Sequence, residues 1–227
     1  MSFWSKFIET IGGENHSQEE VSNDASCYAF VDVEVGLKDK RIHDIGILRW
    51  DGAKYHSADK RAAISFLEDV DFVCGHNVIH HDMKYLLGDE VQRWQLVDTL
   101  YVSPLLFPER PYHHLLKDDK LMNEQMNNPV NDCEKACDLL MDEIAKWKAL
   151  PVAQRFIYAT LLHDVTEFAG FLAMVDAEVC DETTLVEHIH TAYDGRICRH
   201  ADLAAIIEQQ PVELAFALAL ISTTERN

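Results

Sequence analysis

The sequence predicts an α/β domain followed by an all-helical extension. Short β-rich runs alternate with helical patterns between residue 27 and about residue 150, and only helical patterns occur beyond it. The hydrophobic share of 48% and the charged share of 26% are typical of a globular chain that buries a core. We therefore expect a mobile polar segment over 1–26, an α/β domain over 27–150 and a helical extension over 151–227.

Strands and helices of the α/β domain are predicted from their hydrophobic spacing. Apolar and β-branched runs that end at turn residues predict five strands: 27–35, 44–50, 53–57, 71–75 and 95–99. Helical spacing predicts four helices. The first covers 60–70, and the second runs from near His81 through Leu87. The third follows the strand 95–99 toward Leu106, and the fourth runs from Pro129 to the residues before Pro151. Asn128 is a suitable cap for the last helix, because its side-chain oxygen can accept a backbone N–H, and proline is tolerated at the first helical position.

Two carboxylates lie on one face of the first predicted strand. Asp32 and Glu34 are separated by a single residue, and side chains alternate between the two faces of a strand. Carboxylates on the same face of an apolar strand repel each other unless a cation compensates them. The pair alone fits either a solvent-facing side of the strand or a cation site, and the surrounding residues must decide between the two.

Further segments accompany this pair in a fixed order. Gly36-Leu37 and Ile42-x-Asp44-Ile45-Gly46 lead into the second strand. FVCGHNVIHHDMKYLL contains His76, Asn77 and Asp82, LVDTLYVSPLLFP runs from a strand into a helix, and NNPVNDCEKACDLL has Asp132 early in a helix. Together these segments resemble the motifs of the DnaQ-like (DEDD) 3′–5′ exonuclease superfamily over roughly residues 27–148.

The resemblance implies a ribonuclease H-like, mixed five-stranded sheet flanked by helices and a metal-dependent 3′–5′ exonuclease. It implies four carboxylates as catalytic and metal-binding residues: Asp32, Glu34, Asp82 and Asp132. They would hold two Mg²⁺ or Mn²⁺ ions, which prefer hard oxygen ligands. Asn77, His81 and Asn127 are expected to contact the substrate. That substrate would be a single-stranded 3′ end, of DNA rather than RNA, released as nucleoside 5′-monophosphates.

The general base of the superfamily has no counterpart at its usual position. A histidine or tyrosine is expected five or four residues before the last aspartate, where this chain has Asn127 and Asn128. An amide does not accept a proton from water at neutral pH. Three explanations stay open: the metal ions alone activate the water, a histidine substitutes, or catalysis is lost and the domain binds proteins or DNA ends. The histidines concerned are His80, His81, His113 and His114.

A zinc site is an alternative use of these histidines. His76, His80 and His81 lie close together before Asp82, and zinc is bound by His and Asp ligands. However, the exonuclease resemblance already accounts for His76, and histidines at a helix start are commonly caps or surface groups. Mg²⁺ or Mn²⁺ therefore remains the expected cofactor.

The net charge of −19, from 20 basic and 39 acidic residues, restricts the partners. Phosphate binding normally uses Lys and Arg, so this charge argues against tight, extended duplex binding by the chain alone. More loosely, GHN-HD, RPYHHLLKDDKL, NNPVND and PVELAFALALI resemble exonuclease-like regions ahead of RecQ-type helicases. A helicase domain would supply the basic DNA track, which suggests a role in DNA repair or processing. The helical extension is expected to pack on the core sheet or to dock such a partner.

The cysteines and the hydropathy predict a cytoplasmic protein. Six cysteines occur without CxxC spacing, and several belong to apolar patterns, which is typical of free thiols in a reducing compartment. The sequence contains no apolar run of about eighteen residues, so we expect no membrane segment.

Overall fold

Five strands form one mixed sheet in the computed structural model, which describes residues 27–88, 93–115 and 128–224. The strands are β1 (Tyr28–Val35), β2 (Ile42–Arg49), β3 (Lys54–His56), β4 (Phe72–Gly75) and β5 (Gln95–Asp98). Their order is β3-β2-β1-β4-β5, in which β2 is antiparallel to β1 and β3, and β4 is parallel to β1 and β5. The expected mixed five-stranded sheet flanked by helices is confirmed. The predicted segment 1–26 lies outside the described residues.

Helices follow the strands and then form the whole C-terminal part of the described chain. In the α/β part they are α1 (Lys60–Phe66), a π-helical turn (Val78–Asp82), α2 (Met83–Leu87), α3 (Thr99–Leu106) and α4 (Pro129–Ala149). In the extension they are α5 (Val152–Leu162), α6 (Thr166–Met174), α7 (Glu182–Ala192), α8 (Leu203–Gln209) and α9 (Pro211–Thr223).

The sheet separates two hydrophobic clusters. Phe30 and Cys74 belong to the cluster that contains α3, α4 and the extension, whereas Val31 and Val73 belong to the cluster that contains α1 and α2. Neighbouring residues of a strand thus face opposite layers, as the pleat requires. Because Asp32 and Glu34 follow Phe30 at intervals of two, they lie on the α4 face of the sheet.

The connection after β4 differs from the prediction. A helix was expected to begin near His81, but helical backbone already begins at Val78, as a π-helical turn that leads into α2. Asn77, just before the turn, has a left-handed backbone with φ 72°. The carboxylate of Asp98 accepts the backbone N–H of Asn77 and of Ile79, and these long-range bonds fix the turn earlier than local spacing indicates.

The extension and the sheet share one core. The expected packing of the extension on the sheet is seen at α6, which packs against β5; a Cβ at Gly170 would collide with the backbone carbonyl of Leu96. Within the predicted helical extension, the helical backbone is interrupted after Leu162 and resumes at Thr166, giving α5 and α6. Within the described ranges no single helix is long and apolar enough to cross a bilayer; α8 and α9 pass that test only as a pair, bent by 119°.

Candidate active site

Three of the four predicted carboxylates converge on the α4 face of the sheet. Asp32 and Glu34 come from β1, and Asp132 comes from the first turn of α4. Each offers one carboxylate oxygen, and these oxygens lie within 4.8 Å of one another. All three residues are partly buried, so the group remains reachable from solvent. Carboxylate oxygens at this spacing could hold a metal ion.

The position of Asp132 follows from how α4 begins. Asn128 caps the helix by accepting the N–H of Val130 at 3.0 Å, and Pro129 occupies the first helical position, as predicted. The helix end rests on Gly46, where a Cβ would collide with the backbone of Pro129 and Val130. Gly46 pairs with Asp32 across the β1–β2 ladder. The absence of a side chain at Gly46 therefore brings the first turn of α4 onto the sheet beside Asp32.

Asp82, the fourth predicted carboxylate, lies beside this group rather than in it. It is buried, with 2% exposure, and its Oδ1 accepts the backbone N–H of Val33 at 2.8 Å. Nδ1 of His81 lies 3.1 Å from the same oxygen. Burial raises the pKa of Asp82, and the contact with His81 opposes the rise. Asp82 is thus close enough to act on Asp32 electrostatically, while its own hydrogen bonds are made to the fold.

The electrostatics of the group favour a bound cation. Burial raises the pKa of Asp32 to about 8, and the carboxylates of Asp82, Asp132 and Glu34 add to the rise. Without a cation, Asp32 therefore keeps its proton at neutral pH. Lys135 approaches Asp132 at 3.5 Å, which offsets only part of the clustered negative charge. The donor set of hard oxygens fits Mg²⁺ or Mn²⁺.

Asp98 organises the site, a role that the sequence did not reveal. It is fully buried and accepts three backbone N–H groups, from Asn77 and Leu100 at Oδ1 and from Ile79 at Oδ2. These bonds tie the end of β5 to the turn after β4 that leads to Asp82. The signal available in the sequence was the Asp98-Thr99 pair at a strand-to-helix junction, where aspartate commonly caps a helix.

The histidines before Asp82 do not form a zinc site. Nδ1 of His76 lies 2.9 Å from Thr99 Oγ1, Nε2 of His80 lies 2.8 Å from Glu167, and His81 contacts Asp82. These three imidazoles thus have three different partners. Among the residues that the structure describes, the zinc hypothesis finds no converging set of ligands, and only the three carboxylates form a metal-sized group.

One of the candidate base histidines, His81, lies close to the carboxylates. His81 is coupled electrostatically to Asp82, Asp32 and Glu34, and its contact with Asp82 raises its pKa. His113 instead lies 2.9 Å from Ser103 on α3. His80 is held by Glu167 of α6. The side-chain oxygen of Asn128 caps α4 by accepting the N–H of Val130, and its amide is no base at neutral pH.

Two polar groups are buried on the same face without partners. Glu143 of α4 has no exposure, and neither of its carboxylate oxygens accepts or donates a hydrogen bond. Burial, followed by the charge of Asp98, raises its pKa well above the ordinary value. Nε2 of His76 is likewise buried without a partner, and burial lowers the pKa of this imidazole to about 4. Both side chains are therefore neutral at physiological pH.

The predicted site residues thus fall into three groups. Asp32, Glu34 and Asp132 come together; Asp82, His81 and Asn77 border them on the turn after β4. Asn127 lies outside the described residues. No family model, no curated protein and no solved structure matches the chain.

Proposed function

We propose that the protein is a divalent-metal-dependent 3′–5′ exonuclease of the DnaQ-like type, acting on DNA rather than RNA and releasing nucleoside 5′-monophosphates. The observation that carries the proposal is the convergence of Asp32, Glu34 and Asp132 within 4.8 Å. Asp132 is remote in the sequence from Asp32 and Glu34, and the resemblance implied all three residues as ligands. A solvent-facing strand would not need a third carboxylate from a helix beside the first two.

The topology supports a ribonuclease H-like fold as part of the same proposal. An antiparallel β1–β2–β3 meander is extended by β4 and β5, which run parallel to β1, in the order β3-β2-β1-β4-β5. The carboxyl ends of β1, β4 and β5 therefore lie at one edge of the sheet. In open α/β sheets, this edge is where ligands commonly bind.

Four carboxylates form the proposed site. Asp32, Glu34 and Asp132 would hold the divalent ions, and Asp82, buried beside them, would complete the ligand set. When bound, the ions would acidify the attacking water and stabilise the leaving 3′-oxygen. Val33 holds the Asp82 carboxylate through its N–H, which preorients that ligand. Preorganised ligands need little rearrangement before the reaction.

His81 is the residue we assign to orient the attacking water. Its Nδ1 is fixed by Asp82, and it is the histidine whose charge couples to both Asp32 and Glu34. Asn77, held at the carboxyl end of β4 by Asp98, would contact the terminal nucleotide. These roles belong to residues on the turn after β4, so Asp98 sets the geometry of both.

The decisive experiment is incubation of a 5′-labelled single strand with Mg²⁺, Mn²⁺ or EDTA. We expect a ladder that shortens from the 3′ end only with metal, and nucleoside 5′-monophosphates as products. Asp32→Asn, which removes one carboxylate and keeps the shape of the side chain, is the matched inactive control. Equal activity of the wild type and Asp32→Asn would refute the assignment.

A second candidate is an inactive exonuclease fold that binds DNA ends or a protein partner. The observation that favours it is that position 128 carries an asparagine whose side-chain oxygen caps α4, and an amide does not accept a proton at neutral pH. This alternative predicts no products at micromolar protein, with binding of the labelled strand retained in EDTA.

A further inference from the structure

We infer that the segment 107–115, here called the 107–115 loop, is a stacking platform for the unpaired nucleotides that precede the scissile 3′ end. The inference rests on the proposed function and deepens it, since it names the form of substrate that the site takes. It concerns the surface of the loop that directly follows α3, which lies outside the carboxylate group.

The loop is anchored to the fold at two points. His113 lies 2.9 Å from Ser103 Oγ on α3, and it also bonds the backbone of Arg110. The guanidinium of Arg110 stacks 3.7 Å above the ring of Phe107, which is buried. The N–H of Arg110 donates to the carbonyl of Phe107 at 3.0 Å. These contacts fix the backbone that carries Tyr112, so its ring is presented by an ordered support.

Tyr112 is the exposed part of this support. Its exposure is 79%, and it is the one aromatic residue among the large hydrophobic side chains that the described part of the chain exposes. Arg110 and His114 beside it are exposed as well. An aromatic ring, an imidazole and a guanidinium plane are the groups on which unpaired bases stack. In a duplex the bases are already stacked on each other, so this surface fits a single strand.

The loop lies at the same end of the sheet as the candidate active site. His113 and His114 are close enough to His76 to lower its pKa. His76 directly follows β4, at the edge where Asn77 and the turn to Asp82 begin. Thr99 and Ser103, one turn apart on α3, hold His76 and His113 at 2.9 Å each, so the 107–115 loop is anchored beside the end of β4 where the turn to Asp82 begins.

Charge makes this loop a suitable route for a polyanion on an acidic protein. The whole chain carries a net charge of −19. Within 107–115 the single carboxylate, Glu109, is balanced by Arg110, so the loop carries none of the excess negative charge of the chain. Stacking also contributes binding energy that does not depend on phosphate contacts, which suits a chain with 20 basic and 39 acidic residues.

The test compares Tyr112→Leu with Tyr112→Phe. Leucine keeps an apolar side chain but removes the ring, whereas phenylalanine keeps the ring. Since stacking of one base on an aromatic side chain is worth ~1–3 kcal/mol, we expect Tyr112→Leu to weaken binding of a single-stranded oligothymidylate about 5- to 150-fold. Tyr112→Phe should stay within about twofold of the wild type. Leu220→Ala, a substitution of an exposed residue on α9, is the control and should bind as the wild type does.

Binding is measured by fluorescence anisotropy in EDTA, so the result does not depend on hydrolysis. Hydrolysis of the p-nitrophenyl ester of thymidine 5′-monophosphate, which has no preceding nucleotide to stack on the loop, reports on the carboxylates alone and should be equal in all variants. Loss of binding in Tyr112→Leu without any hydrolysis in the wild type would keep this inference and refute the exonuclease. Equal binding by wild type and Tyr112→Leu, or no binding by the wild type, would overturn the inference and leave the exonuclease to its own test.

Discussion

The carboxylate of Asp82 accepts a hydrogen bond of 2.8 Å from the backbone N–H of Val33, between Asp32 and Glu34 on β1. The pairing of β1 with β4 ends at Phe30, so β1 continues past its parallel neighbour at this point. A buried backbone N–H needs a partner, and here a side chain supplies it. Asp82 therefore belongs to the fold as much as to the site, and this distinguishes it from Asp32.

Asp82→Ala should destabilise the metal-free protein. The substitution leaves the N–H of Val33 buried without an acceptor, which typically costs ~1–3 kcal/mol. Asp82→Asn retains an acceptor oxygen and should keep most of the stability while losing hydrolysis. Urea denaturation in EDTA measures the free energy of unfolding of the two variants, and the labelled-strand assay measures hydrolysis. Equal stability of Asp82→Ala and the wild type would mean that the Val33 contact contributes nothing to folding.

Asp32→Asn should have the opposite effect on stability, and the effect should depend on pH. The pKa of Asp32 is raised from 3.8 to about 8 in the fold, so between these values the unfolded chain ionises while the folded chain stays protonated. The free energy of unfolding of the wild type therefore falls as the pH rises through this window. The asparagine variant lacks this loss. Its melting temperature in EDTA should exceed that of the wild type by a margin that grows up to about pH 8.

Metal binding should stabilise the wild type through Asp132. An ion that binds only the folded state adds RT ln(1 + [L]/Kd), or ~2.7 kcal/mol at a hundredfold excess over Kd. We expect Mn²⁺ or Mg²⁺ to raise the melting temperature of the wild type but not of Asp132→Ala. Asp142→Ala, which removes an exposed carboxylate from the same helix, is the matched control and should keep the shift. A shift of equal size in Asp132→Ala would put the ion elsewhere.

Glu143→Gln should stabilise the protein, increasingly so at higher pH. Glu143 is fully buried without a partner, and its raised pKa keeps it protonated in the fold. Above the ordinary glutamate pKa the unfolded chain ionises, so the stability of the wild type falls by up to ~1.4 kcal/mol per pH unit. Glutamine does not ionise, and this loss disappears. Denaturation at acidic and neutral pH measures the difference in the free energy of unfolding between Glu143→Gln and the wild type. A difference that stays constant with pH would contradict the prediction.

The sequence predicted the elements of the site better than the contacts that fix them. The one-residue spacing of Asp32 and Glu34 was enough to predict a shared face, because the period of a strand is two. The threefold acceptor role of Asp98 was not predictable, since its donors come from a turn that is remote along the chain. Glu143 lies three residues after the buried Leu140, but its burial was not predicted, because glutamate is seldom fully buried. Both misses arise because tertiary burial, and not local pattern, decides the environment of a carboxylate.

The last prediction concerns the proton that the attacking water must lose. Asn127→His restores a histidine at the position expected of the base, and a positioned general base contributes typically ~10²–10⁴-fold. In the proposed mechanism the metal ions would perform part of that task, so we expect a rise at the lower end of this range. His113 is held by Ser103 and lies beside His76, so His113→Ala should leave the pH–rate profile unchanged.

The pH–rate profile of His81→Ala distinguishes a His81 that accepts the proton from one that only orients the water. A histidine that accepts the proton gives a rate that rises with pH through its pKa, because only the neutral imidazole is a base. If His81 acts in this way, its alanine variant is slower and the rise is lost, and Asn127→His recovers part of the rate in the double variant. If His81 only orients the water, the alanine variant is slower but keeps the profile of the wild type. Profiles and rates that coincide in the wild type, His81→Ala and Asn127→His would exclude both histidine roles, and activation by the metal ions alone would then account for the proton.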